Sequence, residues 1–404
     1  MSEEFWDVQA HVIPASHIRG FSRGVRDEST AHLKLAVKHY VPRNRDVKPG
    51  NVTLIMAHGV GSSKESYEPF FDELLHCRVP IRGIWAADVA HHSASYILNE
   101  DIIGDEPHWF DSSRDLLQMV NYFQAEMPHP IVGVGQSWGC VTLTMMSIFH
   151  PRLFTGIISM EPVFATGYKY KKRKGDKDVR PDRFHVATLM ANRKDVWPSR
   201  EQARKQFAAN PYYAAFDPRV FERVVKYDLR DIPSENGSAK PVTLTTPKSM
   251  EVYTMMRPDP PFPGYPEAPD YQKRGKNTTV IAGFYQDESR QAFESLANVH
   301  PPVLYVWGTL SQLHDSDYAE GVVKQTGTGH MGGGGVAKGQ VKETFVDGAH
   351  HPLPLEKPKG AAEAVADWVL DMLKKWNDET EKRRSQPGFD STLNPLWLGR
   401  ITKL

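Results

Sequence analysis

Residues 131–141 read Ile131-Val132-Gly133-Val134-Gly135-Gln136-Ser137-Trp138-Gly139-Cys140-Val141, and the fold is decided there. The first four are strand formers bounded upstream by Pro128 and Pro130. From Val141 the apolar Leu143, Met145, Met146, Ile148 and Phe149 run to His150-Pro151 with few polar interruptions, which predicts a helix buried on most sides. Between strand and helix, Gly135-Gln136-Ser137-Trp138-Gly139 is a G-x-S-x-G pentapeptide. In that setting two glycines let the chain turn so sharply that the serine hydroxyl stands exposed as a nucleophile. Composition alone would produce the bare pattern about 0.1 times in a chain of this length, so its flanks carry the meaning.

A serine that attacks a carbonyl needs donors for the oxyanion it creates. Val52 to Ala57 reads as a buried strand, and His58-Gly59-Val60-Gly61 follows it directly. Such a turn aims a backbone N–H, here that of Val60, at the developing charge, and Trp138 N–H supplies a second donor. Loss of one such donor typically removes roughly 3–4 kcal/mol of transition-state stabilisation.

The base belongs in the loop between the last strand and the last helix. Lys342 to Val346 reads as that strand, and a helix begins near Lys357-Pro358 and runs through Val365, Trp368, Val369, Met372 and Leu373. The loop between them offers two histidines, His350 and His351. The acid would ordinarily follow the strand Val303 to Trp307, but the turn there reads Gly308-Thr309-Leu310-Ser311, with a serine in the carboxylate's place. One strand earlier, Gly156 to Met160 leads into Glu161-Pro162. A carboxylate at Glu161 can reach a histidine Nδ1 and keeps the chain order serine, acid, histidine. Asp315 and Asp317 are the alternatives, and Ser311→Ala is expected to matter little if Glu161 is the acid.

These stretches resemble the α/β-hydrolases, and most of all a fungal peroxisomal group. That group includes the acyl-CoA hydrolase of mycophenolic acid biosynthesis, host-selective toxin biosynthesis hydrolases and the yeast peroxisomal lipase. The resemblance rests on HGVG, GQSWG, Glu161-Pro162-Val163-Phe164 and the late His351-x-x-Pro354-x-Glu356 spacing. Ile81 to Asp88, Trp109-Phe110-Asp111, Arg114-Asp115-Leu116-Leu117 and Pro151-Arg152-Leu153-Phe154 add to it. It favours His351 as the base. It implies an α/β-hydrolase fold: a mostly parallel central sheet flanked by helices, with an inserted lid subdomain. Core would occupy 1–164 and 301–404 (the latter with a C-terminal tail), and lid 165–300. Two departures stand out: Gln136 where the group commonly has histidine, and Glu161 rather than aspartate.

Composition agrees with this class. The 404 residues carry 49 basic and 49 acidic side chains, so net charge gives no reason to expect a nucleic-acid partner. Two cysteines, Cys77 and Cys140, argue against a disulfide framework and fit a reducing compartment, peroxisomal or cytoplasmic. Neither a signal peptide nor a membrane span is expected, and Asn277-Thr278-Thr279 is read as a coincidental glycosylation pattern. Within the expected lid, Ser199 is a plausible helix cap, Pro258 to Pro269 a turn region, and Trp197, Phe207, Tyr212, Tyr213, Phe216 and Tyr253 either line an acyl pocket or pack the lid. Gly327-Thr328-Gly329-His330-Met331-Gly332 matches G-x-G-x-x-G but lies in the reverse of a dinucleotide-binding context, hence a surface loop. The basic run Lys171-Lys172-Arg173-Lys174 reads as a solvated face or as an attractor of coenzyme A phosphates. Thr402-Lys403-Leu404 is one residue from a peroxisomal address, implying an import receptor as partner. The expected chemistry is two-step acyl transfer from an ester or thioester without cofactor or metal. Carboxylesterase or lipase activity and a non-catalytic binding role are the alternatives.

Overall fold

Six-residue runs of wholly buried side chains make the central strands: β3 (Val52–Ala57), β5 (Ile131–Gln136) and β7 (Val303–Gly308). Such continuous runs are what strands covered on both faces require. With β1 (Trp6–Pro14), β2 (Lys34–Pro42), β4 (Ile81–Ala87), β6 (Gly156–Met160) and β8 (Val341–Val346) they form an eight-stranded sheet in the order β1-β2-β4-β3-β5-β6-β7-β8. Only β2 runs against its neighbours; β4 through β8 are parallel. The computed structural model describes residues 2–43, 46–165, 182–233, 240–258, 284–314, 317–386 and 392–403.

Alternate strand residues face opposite layers. Ile55, Ile131 and Ile157 pack with Leu116 and Met119 of helix Trp109–Tyr122 and with Val141 and Leu143 of helix Trp138–Phe149. Leu54, Val132 and Ile158 face the other way, onto Phe70, Phe71 and Leu74 of helix Glu68–His76 and Val365 and Val369 of helix Pro358–Arg384. That last helix outruns the apolar spacing ending at Leu373, because the following Lys374 to Arg384 stretch consists mostly of good helix formers facing water.

Register sets the functional edge. Ala57 pairs with Gly135, Gln136 with Met160, Met160 with Val306, and Gly308 with Val346. The residues that follow, His58, Ser137, Glu161, Thr309 and Asp347, therefore leave the sheet side by side at its carboxyl edge, where ligands bind in open α/β sheets.

Between β6 and β7 the chain builds a smaller layer. It holds helices Asp182–Asn192, Arg200–Ala209, Pro218–Tyr227 and Lys248–Met255 and a three-stranded sheet of Val196–Trp197, Val242–Leu244 and Leu229–Asp231. Ser199 Oγ accepts from Gln202 N–H at 3.2 Å and caps its helix. Phe207 stacks on Tyr213, with Trp197 edge-on to Phe207 and Phe216 edge-on to Tyr213. These aromatics thus pack on one another, whereas Tyr253 packs against the main core. Residues 259–269 of the proline-rich turn, Asn277-Thr278-Thr279 and Lys171-Lys172-Arg173-Lys174 lie outside the described residues. The glycine-rich 327–332 stretch is a loop between helix Asp317–Gln325 and β8.

Backbone crowding places the elbow. A Cβ on Gly139 would fall 2.0 Å from the Ala57 carbonyl oxygen, and one on Gly135 2.8 Å from Cys140 N. Only glycine lets the helix start this close to β3. Gly139→Ala should therefore destabilise the fold by on the order of 3 kcal/mol or more, read as a fall in chemical-denaturation midpoint against Gly399→Ala, an open helical position.

Candidate active site

Ser137 links β5 to helix Trp138–Phe149 with φ +56° and ψ −119°, a conformation costing roughly 1–3 kcal/mol for a residue with a side chain. It is held there by Ser137 N–H donating to Met160 O at 2.9 Å and by Cys140 N–H donating to Ser137 O at 3.1 Å. The turn leaves the Ser137 side chain partly exposed amid buried neighbours.

His351 Nε2 lies 3.0 Å from Ser137 Oγ, and its Nδ1 lies 3.3 Å from Glu161 Oε2. The structure thus brings together Ser137, His351 and Glu161, three residues from three separate strand ends. His350 turns away: its Nδ1 is 3.2 Å from Glu356 Oε2, which also accepts His350 N–H at 2.8 Å. Asp317 sits exposed at the start of helix Asp317–Gln325, and Asp315 lies outside the described residues.

Glu161 is fully buried and has φ +52°. Gly308 N–H donates to its Oε1 at 2.7 Å, and the Ser311 hydroxyl donates to its Oε2 at 2.6 Å. Ser311 is therefore no bystander. The serine at the usual acid position donates to the very oxygen that faces His351, a contact that weighs against the expectation that its loss matters little. Its contribution could be read only from the fold, because the partner is 150 residues away.

The HGVG loop is shaped by polar ties. Val89 N–H donates to His58 Nε2 at 3.0 Å, so the ring proton sits on Nδ1, which donates to Gly59 O at 2.8 Å. Burial depresses the basicity of His58, keeping it neutral. Downstream, Lys64 Nζ pairs with Asp88 at 2.6 Å and with Glu65 at 3.0 Å in a buried cluster. Breaking such a pair on one side typically costs about 3–5 kcal/mol. Gly59 lies against Ser137, where an added Cβ would fall 3.2 Å from the Ser137 Cβ, and neither the Val60 nor the Trp138 N–H is taken by another backbone group among the described residues. Three of the other resemblance stretches prove structural as well. Asp111 and Asp115 hold the buried Arg19, at 3.2 and 2.7 Å, and Asp88 ends the Ile81 to Asp88 run.

From the smaller layer, Arg193 pairs with Glu251 at 2.6 Å, and Glu251 lies against the loop glycine Gly61, whose φ is +78°. Burial pushes the Glu251 carboxyl up to about 7 against the opposing pull of Arg193. Cys140 is buried beneath the elbow and its thiol is pushed up to about 12 by that burial, so it stays protonated and unreactive. Among the described residues no group of histidine, cysteine, aspartate and glutamate is placed to hold a metal ion. No helix there is long and apolar enough to cross a membrane.

The sequence profile of the alpha/beta hydrolase family matches residues 54–365. The chain is 32% identical to the type I acyl-CoA thioesterase mpaH of Penicillium brevicompactum, over 99% of this chain and 98% of that one. It is 26% identical to the abhydrolase domain-containing protein AFT2-1 of Alternaria alternata, over 62% of this chain and 87% of the relative. Among solved structures, the peroxisomal alpha-beta-hydrolase Lpx1 of Saccharomyces cerevisiae superposes with a TM-score of 0.68 at 15% identity, covering 99% of this chain and 96% of that one. That likeness concerns the fold.

One acid near Ser63, just past the HGVG loop, makes stability depend on pH. Asp228 is half-buried overall, but its Oδ1 is sealed from solvent with no partner among the described residues. Burial pushes the carboxyl up to about 8; a Ser63 hydrogen bond opposes this, and the nearby charges of Glu65, Asp88 and Glu251 add to it. A carboxyl raised in the fold favours folding while protonated and loses that contribution as pH rises through the folded value. The melting-temperature gap between Asp228→Asn and the parent should therefore widen in the variant's favour from pH 5 to pH 8. Scanning calorimetry at both values reads it, and a constant gap would contradict the assignment.

Proposed function

Because the chain belongs to the alpha/beta hydrolase family, we propose that it is a serine acyl hydrolase working through Ser137, His351 and Glu161, with an acyl-CoA thioester as substrate. The observation that carries the reading is the relay of 3.0 Å from Ser137 Oγ to His351 Nε2 and 3.3 Å from His351 Nδ1 to Glu161 Oε2. His351 removes the Ser137 proton as Oγ attacks the acyl carbonyl; Glu161 holds the ring in the needed tautomer and stabilises the imidazolium. The tetrahedral oxyanion is received by the N–H groups of Val60 and Trp138. Its collapse breaks the carbon–sulfur bond, and the imidazolium protonates the departing thiolate. Water then enters, loses a proton to His351, and attacks the acyl-serine; collapse returns that proton to Ser137 and frees the carboxylic acid.

The thioester part of the reading is supported by the relative named as an acyl-CoA thioesterase, which matches this chain along almost its whole length. In this reading residues 165–300 form a lid over the carboxyl edge, tied to the oxyanion loop through Arg193 and Glu251.

Matched acyl-CoA thioesters and p-nitrophenyl esters over a range of chain lengths test the proposal. Thioester turnover that falls by at least about 10⁴-fold in Ser137→Ala is expected. Ester turnover without thioester turnover would make the protein a carboxylesterase, and neither activity would refute hydrolysis. Ser311→Ala should lower kcat about tenfold with KM nearly unchanged, the loss of one hydrogen bond to a buried carboxylate.

A further inference from the structure

Gln136 is buried at the end of β5, one residue before Ser137, and both ends of its amide are used. Its Oε1 accepts from the Tyr67 hydroxyl at 3.0 Å, and the oxygen of that hydroxyl accepts from Gly59 N–H at 3.0 Å. Its Nε2 donates to the His351 carbonyl at 3.2 Å. The fit is close, since a Cβ on Gly59 would fall 2.2 Å from Gln136 Oε1. One unbroken chain of hydrogen bonds therefore runs from the loop that presents Val60 N–H to the loop that presents His351. It passes through the residue that immediately precedes Ser137.

We propose that Tyr67 and Gln136 are a positioning pair for the hydrolytic reaction, holding the oxyanion loop and the His351 loop at fixed distances from Ser137. The inference rests on Ser137 being the nucleophile. The amide is suited to the task because one uncharged planar group offers both an acceptor for Tyr67 and a donor for the His351 carbonyl. A carboxylate would set oxygen against oxygen at His351, and a thioether would serve neither partner well. Burial holds the Tyr67 phenol far above its ordinary range, so it remains a donor throughout the working pH. Were this pair only satisfying buried polar atoms, its bonds could end anywhere in the core; they end on the two loops whose spacing sets the attack geometry. A misplacement near 1 Å in such a geometry can slow reaction about 10²-fold.

The test reads the second-order rate at which a fluorophosphonate probe labels Ser137, together with kcat and KM on p-nitrophenyl butyrate. Tyr67→Phe deletes one oxygen and keeps the ring in the core; Gln136→Met keeps the length and removes both polar atoms. Each should slow labelling and kcat by about 10–100-fold, with KM within about twofold. The double variant should be no slower than the slower single, because the two side chains act through one chain of bonds. Melting temperatures confirm that each variant is folded, and Tyr67→Phe alone decides the matter if Gln136→Met does not fold. Labelling within about twofold of the parent, or losses that multiply in the double variant, overturns the proposal. A parent that labels no faster than Ser137→Ala overturns the hydrolase reading and this one with it, whereas a labelled parent with equally reactive variants overturns this one alone.

Discussion

The site hangs on the approach of helix Trp138–Phe149 to the end of β3, where Gly139 lies against the Ala57 carbonyl with no room for a Cβ. That contact brings the helix N-terminus beside the HGVG loop, since a Cβ on Gly139 would also fall 3.0 Å from the His58 carbonyl oxygen. It also compels Ser137 into positive φ, because the chain must reverse within one residue to enter the helix. The strain persists because parallel pairing with β6 on one side and helix packing on the other over-determine the backbone. The exposure of Ser137 and its closeness to the HGVG loop are thus two results of one steric fact.

The carboxylate shows how a sheet can supply the same group from a neighbouring strand. β6 lies next to β5 and β7 lies beyond it, and Met160 is in register with both Gln136 and Val306. A side chain leaving β6 therefore starts nearer the elbow than one leaving β7. Glu161 spans the remaining distance to His351 through its positive φ. The donors at the end of β7, Gly308 N–H and Ser311 Oγ–H, then fix it in place. Both strands thus serve the Glu161 carboxylate, one by carrying it and the other by hydrogen-bonding it. Without those two donors the buried carboxylate oxygens would be left unsatisfied, which is costly for a charged group.

Much of this was legible along the chain because local signals sufficed. Buried runs marked β3, β5 and β7, and the pentapeptide between strand and helix marked Ser137. The missing aspartate at Ser311 directed attention to Glu161. Choosing His351 over His350 needed the spacing to Glu356, and the structure gives that residue a different use: Glu356 draws His350 away and so leaves His351 facing Ser137. What could not be read were partners set by tertiary approach. Ser311 to Glu161, Tyr67 to Gln136, Gln136 to His351 and Arg193 to Glu251 each join residues at least 58 positions apart, and no periodicity encodes such pairs. The aromatic residues between β6 and β7 had two readings for the same reason, since hydrophobicity alone does not say whether a ring faces a ligand or another ring.

The unread contacts are mostly polar, and that suits the role proposed for the site. Apolar packing is non-directional and fixes where an element lies, but it fixes the aim of a single N–H poorly. Hydrogen bonds weaken steeply off axis, so a loop whose amides must point at one spot is better held by them. The HGVG loop accordingly hangs from Val89 through His58, from Gln136 through Tyr67, and from Asp88 through Lys64, with the Glu251 carboxylate resting on Gly61. Each tie is buried or partly buried, where a hydrogen bond is electrostatically stronger than in water and an unmade one is costly. A loop held in this way has few alternative arrangements, which is what the proposed oxyanion role would require of its donors.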